Sequence, residues 1–143
     1  MEIKTTNLPL QSKGFNDIID ITTQLDHLLL THQFSEGQMT IFVSGSTGGL
    51  TSIEFEPGLI RDLPDFLEGI IPMKKSYHHD QTWHDGNGYA HLRSSLIKPF
   101  FTVPFKNSRL LLGTWQQIVF IDFDNRPRQR DLVVQMIGIR KAG

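Results

Sequence analysis

The chain has 143 residues, enough for one domain that buries roughly two-thirds of its unfolded surface. Its 14 Lys and Arg residues nearly balance its 15 Asp and Glu residues, so neither nucleic acid nor an anionic membrane is expected as a partner. Without cysteine, disulfides and thiolate metal sites are excluded, and any metal must use nitrogen and oxygen ligands. The opening MEIKTTNLPL has neither the basic start nor the apolar run of a signal peptide, so a cytoplasmic location is expected.

Helices and strands alternate in the predicted first half. Apolar residues at three- and four-residue spacing predict an amphipathic helix over residues 15–32. A strand over residues 39–44 leads through a glycine-rich segment to a short strand over residues 51–55. Helical spacing returns over residues 59–70, but Pro64 has no N–H to donate inside a helix. We therefore expect a turn before Pro64 and a helix that begins near it.

The last third is predicted to be rich in strands. A short helix over residues 89–97 is expected to stop ahead of Pro99. β-Branched and aromatic runs then alternate with turn residues and predict strands over residues 100–105, 110–112, 117–124 and 132–139. The chain is therefore predicted to be a single α+β domain over residues 1–143, with its helices in the first two-thirds and a β-rich end.

Chemically active side chains are concentrated in residues 77–92, which read YHHDQTWHDGNGYAHL. This segment contains four of the six histidines, together with two aspartates, one asparagine and two glycines. Asp, Asn and Gly favour turns over helical backbone, so the segment is predicted to be a polar loop. Imidazoles and carboxylates bind metals, transfer protons or hold ligands.

The histidines of this segment are candidate ligands for a divalent metal. The proposed set is His79, His84 and His91, with Glu54, Asp80 or Asp85 adding an oxygen. Imidazole suits zinc, and carboxylates extend the range to magnesium. The spacing is not diagnostic, because the sequence contains no HExxH motif. The alternative is that the histidines bond to loop backbone or lie in a subunit interface.

A helix that begins near Gly88 would place His91 on its first turn. The polar residues around that turn are Asn87, Arg93, Ser94 and Ser95. A guanidinium, hydroxyls and a helix N-terminus together could bind a phosphate group. The competing interpretation is an ordinary amphipathic helix that buries Leu92 and Leu96.

Two acidic residues, Glu54 and Glu56, flank a single residue, so on an extended strand they share a face. They could bind a cation or divide acid and base roles, and Asp62 could join them. Such acids are more often exposed edge residues or helix caps. An indole at Trp115, at the start of a strand, is most often part of a core or an interface.

Two further segments allow two interpretations each. The glycine-rich residues 45–49 form either a tight connection between strands, which the glycine content favours, or a backbone nest that holds an anion. The RPRQR run at residues 126–130 is typical of a solvated hairpin turn, but it could also reach an anion across a subunit boundary.

Several of these motifs together resemble the YjbQ family, whose members are described as secondary thiamine-phosphate synthase enzymes. The matching pieces are GSTGGLTSIEFEPGL from Gly45, YHHD and WHDGNGYAHLRSSL from residue 77 onward, TVPF from Thr102, and LLGTWQQIVFIDFD with RPRQR from Leu111. The family's recurring polar residues fall here on Glu54, Asp62, His79, Asp80, His91, Ser94 or Ser95, Thr114, Trp115 and Gln116. Many relatives have a histidine where this sequence has Gly45, and His84 could take its place.

The resemblance implies an α+β fold with a mixed, strongly twisted sheet, assembled as a homotrimer with the polar cluster near a subunit boundary. It also implies a reaction that joins a pyrimidine methyl diphosphate to a thiazole phosphate and expels pyrophosphate. Arg93, His91 and a metal at His79 would bind the departing diphosphate, and Trp83 or Tyr77 would steady the pyrimidinyl cation. The same residues would equally serve a non-catalytic metal- or anion-binding trimer, or a metal-assisted hydrolase of a phosphorylated small molecule.

Overall fold

A computed structural model describes residues 1–142 and shows an α+β fold. The strands within these residues are β1 (Glu2–Ser12), β2 (Asp17–Asp20), β3 (Phe34–Val43), β4 (Gly48–Ile53), β5 (Phe100–Lys106), β6 (Arg109–Leu110), β7 (Gln117–Asp122) and β8 (Arg128–Arg140). The helices are α1 (Thr22–Thr31), α2 (Pro57–Ile70), α3 (His78–Trp83) and α4 (Gly88–Ile97). Over residues 1–142, no helix is both long and apolar enough to cross a membrane. The predicted α+β class is confirmed.

The strands form two sheets, and within each sheet all neighbouring strands are antiparallel. One sheet has the order β1-β8-β3-β5-β6 and the other has the order β2-β7-β4. The prediction of a mixed sheet was therefore wrong. Parallel neighbours need a long crossover, usually a helix, between paired strands. Here α1 connects β2 to β3, and the other three helices lie between β4 and β5. Neither of these strand pairs is adjacent in a sheet, so no helix forms such a crossover.

The three-stranded sheet lies at the centre of the molecule because both of its faces are covered. Ile118 and Phe120 of β7 pack into the core shared with the five-stranded sheet and α1. Their neighbours Val119 and Ile121 point the other way and pack with Tyr89 of α4 and residues of α2. Successive side chains of a strand alternate between faces, so a continuous apolar run is what a doubly covered strand requires.

Residues 15–20 do not form the predicted start of the first helix. Phe15 and Asn16 have left-handed backbone, with φ of 51° and 67°, and the chain then pairs with β7 as strand β2. The Asp20 carboxylate accepts a hydrogen bond from the Thr22 N–H at 3.0 Å, so the helix begins only at Thr22. Ile18 and Ile19 fit the helical spacing in the sequence, but in the structure they belong to strand β2.

Helix α2 begins seven residues earlier than predicted, at Pro57. The Glu56 carboxylate caps it by accepting from the Gly58 and Leu59 N–H groups, and Pro57 occupies the first turn, where a missing N–H is harmless. The helix continues through Pro64 despite the loss of one interior hydrogen bond. Glu56 is thus a helix cap, which was one of the two interpretations left open for the acidic pair.

Strand β8 includes part of the RPRQR run, which is therefore not simply a turn. Arg128 and Arg130 lie on the strand and pair with Ser12 and Leu10 of β1. The N-terminal strand β1, which was not among the predicted strands, pairs with β8 along its length. The predicted strands over residues 39–44, 100–105 and 132–139 correspond to parts of β3, β5 and β8.

Candidate functional site

The histidine segment folds into α3 and the start of α4, so the predicted polar loop was wrong. Asp80 holds the two helices together: one carboxylate oxygen accepts from the Tyr77 N–H at 3.1 Å and the other from the Gly88 N–H at 2.9 Å. A Cβ on Gly88 would lie 2.7 Å from the Cβ of Tyr77, so only glycine allows this approach. Between the helices, His84 ends α3 in a left-handed conformation with φ of 57°. Turn-forming residues thus connect two short helices instead of replacing them.

Two imidazoles meet at the centre of this region. The rings of His79 and His91 are 4.2 Å apart between centroids and tilted by 45°. His91 lies on the first turn of α4, as the sequence predicted, and His79 lies on α3. The packing of α3 against α4 therefore places the two side chains together.

Asn87 connects this histidine pair to a buried carboxylate. Its side-chain nitrogen donates to the Asp124 carboxylate at 3.2 Å, and its side-chain oxygen lies 3.1 Å from His79 Nε2. A carboxylate only accepts hydrogen bonds, so the amide group must face Asp124 and the carbonyl oxygen must face His79. We therefore assign a ring proton of His79 to Nε2.

Asp124 anchors this chain of hydrogen bonds as an ionised group. Burial raises the pKa of the Asp124 carboxyl, but the Asn125 N–H and the Asn87 amide hydrogen-bond to the charged form. With the added charge of Arg128 at 2.7 Å, the net pKa of Asp124 lies below its ordinary value. The order Asp124, Asn87, His79 thus fixes the orientation of one ring of the pair.

His91 is half-buried and lines two pockets. Burial, followed by the positive charge that His79 can carry, lowers the pKa of His91 below 6.5, although neighbouring aspartates oppose this. His91 is therefore mainly neutral at pH 7. One pocket, of about 230 Å³, is lined by His91 together with Gly45, Ser46, Ser94, Ser95 and Pro99. The other pocket, also of about 230 Å³, is lined by His91 together with Tyr77, His78, His79, Gly88 and Leu92.

The predicted metal ligands are not gathered into one set. In the part of the chain that the structure describes, no three His, Asp or Glu side chains are placed to hold one metal ion. Asp80 uses both oxygens on backbone amides, and the exposed His84 lies at the end of α3. His79 and His91 come together, and His79 Nε2 lies 3.1 Å from Asn87 Oδ1 and 3.6 Å from Asp85 Oδ1. Zinc or magnesium binding stays a prediction, since the described residues do not bring three of the predicted ligands together.

Arg93, predicted to face the ligand, is instead fully buried. Its guanidinium donates to the Ile71 carbonyl at 3.1 and 2.7 Å, to Asn16 Oδ1 at 2.9 Å and to Glu68 Oε2 at 2.8 Å. It also lies over the ring of Tyr89, 5.1 Å from the ring centroid. Arg93 therefore connects α4 to the end of α2, and it is not available to a substrate.

The two serines of α4 differ in their availability. Ser94 is buried and donates to the Gly48 carbonyl at 2.6 Å, so its hydroxyl is a packing group between α4 and β4. Ser95 is exposed and donates to the His91 carbonyl at 2.9 Å, a local bond that a ligand can replace. The Gly88 N–H is already capped by Asp80, which weakens the predicted phosphate site at the helix N-terminus.

A second group of predicted site residues lies at the opposite end of the three-stranded sheet. Gly48 pairs with Asp122 near the histidines, whereas Ile53 pairs with Gln117, five residue steps or about 17 Å further along β4. The exposed residues next to that far end are Glu54, Trp115 and Gln116, whereas Asp62 is exposed on helix α2. Gln116 accepts from the Gly113 N–H at 3.1 Å and donates to Ser52 at 3.0 Å. Trp115 is 70% exposed and is not a core residue.

Sequence reasoning missed the buried ionic residues beneath the histidine pair. Asp122 and Asp124 are 0% and 1% exposed, and they meet Arg130 and Arg128 at 2.8 and 2.7 Å. Thr47 hydrogen-bonds to both groups, donating to Asp124 at 3.2 Å and accepting from Arg130 at 2.8 Å. The available signal was the pair of aspartates that ends the apolar run of β7, in the letters IVFIDFD.

Comparison with known proteins gives consistent matches along almost the whole chain. The sequence model of the family described as "UPF0047 protein YjbQ-like" matches residues 6–139. A UPF0047 protein of Archaeoglobus fulgidus is 36% identical over 130 residues, covering 91% of this chain and 98% of that protein. The UPF0047 protein YugU of Bacillus subtilis is 31% identical over 140 residues, covering 96% of this chain and 97% of that protein.

Solved structures agree with the fold. A crystal structure of a YjbQ/UPF0047 family protein from Clostridium acetobutylicum is 30% identical, with a TM-score of 0.84 over 92% of this chain and 99% of that chain. A YbjQ-like protein of unknown function from Sulfolobus solfataricus has a TM-score of 0.87 at 24% identity, over 96% of this chain and 100% of that chain, which supports the fold alone. By its sequence match and its antiparallel α+β structure, the chain belongs to the YjbQ-like UPF0047 family.

Proposed function

We propose that the chain transfers a group between two small molecules, at least one of them phosphorylated, in a reaction of the thiamine phosphate synthase type. The observation that carries this proposal is His91, an imidazole with a lowered pKa that lines two pockets of about 230 Å³ each. Two pockets that share one polar group suit a substrate with two chemically different parts, such as a diphosphate joined to a heterocycle.

The two pockets differ in chemistry. The one that contains Ser46 and Ser95 offers hydrogen-bond donors, which suit a diphosphate. The one that contains Tyr77 and Leu92 is mainly apolar and aromatic, which suits a flat heterocycle. A pyrimidine methyl diphosphate spanning both would place its methylene carbon beside His91.

In the proposed reaction, the ring nitrogen of the thiazole phosphate forms a bond to that methylene carbon. The carbon–oxygen bond to the diphosphate breaks, its electron pair stays on the departing oxygen, and pyrophosphate leaves. An N–H of His91 would donate a hydrogen bond to the departing oxygen, and the Asp124–Asn87–His79 chain would hold the ring pair in position. The nitrogen nucleophile carries its own lone pair, so no protein base is required.

The test is an assay of thiamine phosphate formation from the pyrimidine methyl diphosphate and the thiazole phosphate by the purified wild-type protein. We expect pyrophosphate and thiamine phosphate in equal amounts, and the assay should be run with added magnesium, with added zinc and after chelation. Those three conditions also test the predicted divalent metal. A well-folded protein that forms no thiamine phosphate under any of them would contradict the proposal.

A hydrolase is the second candidate, and the lowered pKa of His91 is the observation that favours it. A neutral imidazole can accept a proton from an attacking water. In that case the rate should fall as the pH drops through the pKa of His91, below 6.5, because the imidazolium has no lone pair. Release of phosphate or pyrophosphate without the thiazole substrate, with this pH dependence, would distinguish hydrolysis from transfer.

We also propose that the chain assembles as a homotrimer. Its support is the outer face of the five-stranded sheet, where Ile3 pairs with Ile137 and Phe42 pairs with Phe100 in the register. All four side chains are at least 38% exposed, an apolar surface that a second copy could cover.

Light scattering should give three times the 16.3 kDa chain mass at micromolar concentration. Ile137→Lys should shift this mass towards the monomer, because a charge would be buried in the interface. The control is Gln24→Lys, which adds the same charge on the exposed side of α1 and should leave the mass unchanged. A wild-type particle of monomer mass would contradict the trimer.

A further inference from the structure

Arg130 is a buried guanidinium with one side left free. It is 8% exposed, and its Nε and Nη2 donate to the two oxygens of Asp122 at 2.9 and 2.8 Å. Nη2 also donates to Thr47 Oγ1 at 2.8 Å. Within residues 1–142, Nη1 has no hydrogen-bond acceptor. The guanidinium is therefore held rigidly while two of its N–H bonds stay available.

The free nitrogen lies against Gly45. A Cβ added to Gly45 would be 3.3 Å from Arg130 Nη1, closer than most side chains tolerate. Gly45 does not have the left-handed backbone that would itself require glycine. The missing side chain instead leaves room beside Nη1, on a residue that also lines the Ser46, Ser95 and His91 pocket.

Asp122 occupies the Nε and Nη2 side of the guanidinium, and the groups beside Nη1 are hydrogen-bond donors. The backbone N–H groups of Gly45 and Ser46 bond to no acceptor in the described residues, and the Ser46 and Ser95 side chains are exposed. No acidic residue is among those that line the Gly45 pocket, whereas Arg130 itself lines a separate pocket together with Leu10 and Asp131. Adjacent amides, hydroxyls and a guanidinium are the groups that bind phosphate oxygens.

We propose that Arg130 Nη1, together with the backbone amides of Gly45 and Ser46, binds a phosphate group. In the reaction proposed above this site would be the diphosphate subsite, and that assignment rests on the proposed function. Asp122 offsets much of the arginine charge, so directed hydrogen bonds rather than net charge provide the selectivity. Arg130 thereby takes the part that the sequence suggested for Arg93, which is buried elsewhere.

The experiment is calorimetric titration of the full chain with inorganic pyrophosphate and with inorganic phosphate. Wild type should bind pyrophosphate, and Gly45→Val should weaken that binding at least tenfold by filling the space beside Nη1. The matched control is Gly69→Val, since a Cβ on Gly69 meets no atom within 4 Å. Equal affinity of wild type and Gly45→Val, or no binding of pyrophosphate by wild type, would overturn the proposal.

Gly45→Asp tests whether a loss of pyrophosphate binding is caused by misfolding. Its carboxylate would accept from Nη1, so the melting temperature should be equal to or above that of wild type while pyrophosphate binding is lost. Pyrophosphate binding by a stable Gly45→Asp protein would overturn the subsite. Loss of binding in both Gly45 variants, with no thiamine phosphate formed by wild type, would support the phosphate subsite and contradict only the transferase.

Discussion

His91→Ala is expected to lower the rate of thiamine phosphate formation by about ten- to a hundredfold. The physical reason is the loss of one hydrogen bond to a departing oxygen that becomes negatively charged, worth roughly 1.5–3 kcal/mol. His91 is only half-buried, and its ring contacts His79 rather than the main apolar cores, so the fold should be retained. Steady-state rates at saturating substrate, with thermal melts alongside, give the measurement.

Two variants make this result specific. His91→Gln keeps an N–H donor without a basic nitrogen, so it should retain part of the activity if His91 donates and lose as much as alanine if His91 acts as a base. The exposed His84→Ala should change neither rate nor stability, because His84 lies outside both His91 pockets. A well-folded His91→Ala protein with the wild-type rate would remove His91 from the mechanism.

Arg93→Ala is expected to destabilise the fold by about 3–5 kcal/mol. The guanidinium is 0% exposed and is the donor for the Ile71 carbonyl and Asn16 Oδ1, both of which would lose their partner in the interior. The carboxylate of Glu68 is half-exposed, so its ion pair contributes less than the bonds to these two part-buried acceptors. In a chain of this size the melting temperature should fall by roughly 10–15 °C.

The matched control is Arg61→Ala, which removes an exposed arginine from helix α2 and should change stability by less than about 0.5 kcal/mol. Pyrophosphate affinity of the Arg93→Ala protein, measured well below its melting temperature, should equal that of wild type. An unchanged melting temperature with a large loss of pyrophosphate affinity would show that Arg93 binds the ligand after all.

Local patterns in the sequence were sufficient for several elements. The apolar run of β7, the alternating strands β3, β5 and β8, and helix α4 with His91 on its first turn follow from side-chain periodicity and turn residues. The prediction that chemistry is concentrated in residues 77–92 identified both members of the histidine pair. These features depend on neighbours within a few residues, which is the range over which sequence patterns act.

Which arginine is available to a ligand depended on contacts between distant parts of the chain. Arg93 and Arg130 are both arginines beside polar residues in the sequence. Only packing shows that the first is enclosed by the end of α2, whereas the second faces Gly45 across 85 positions of the chain. Likewise, Asp80 was an equally good metal ligand until its two oxygens were found on backbone amides. Sequence determined which functional groups this protein possesses, and the tertiary structure decided which of them are free, because a hydrogen bond already made within the fold is unavailable to a ligand.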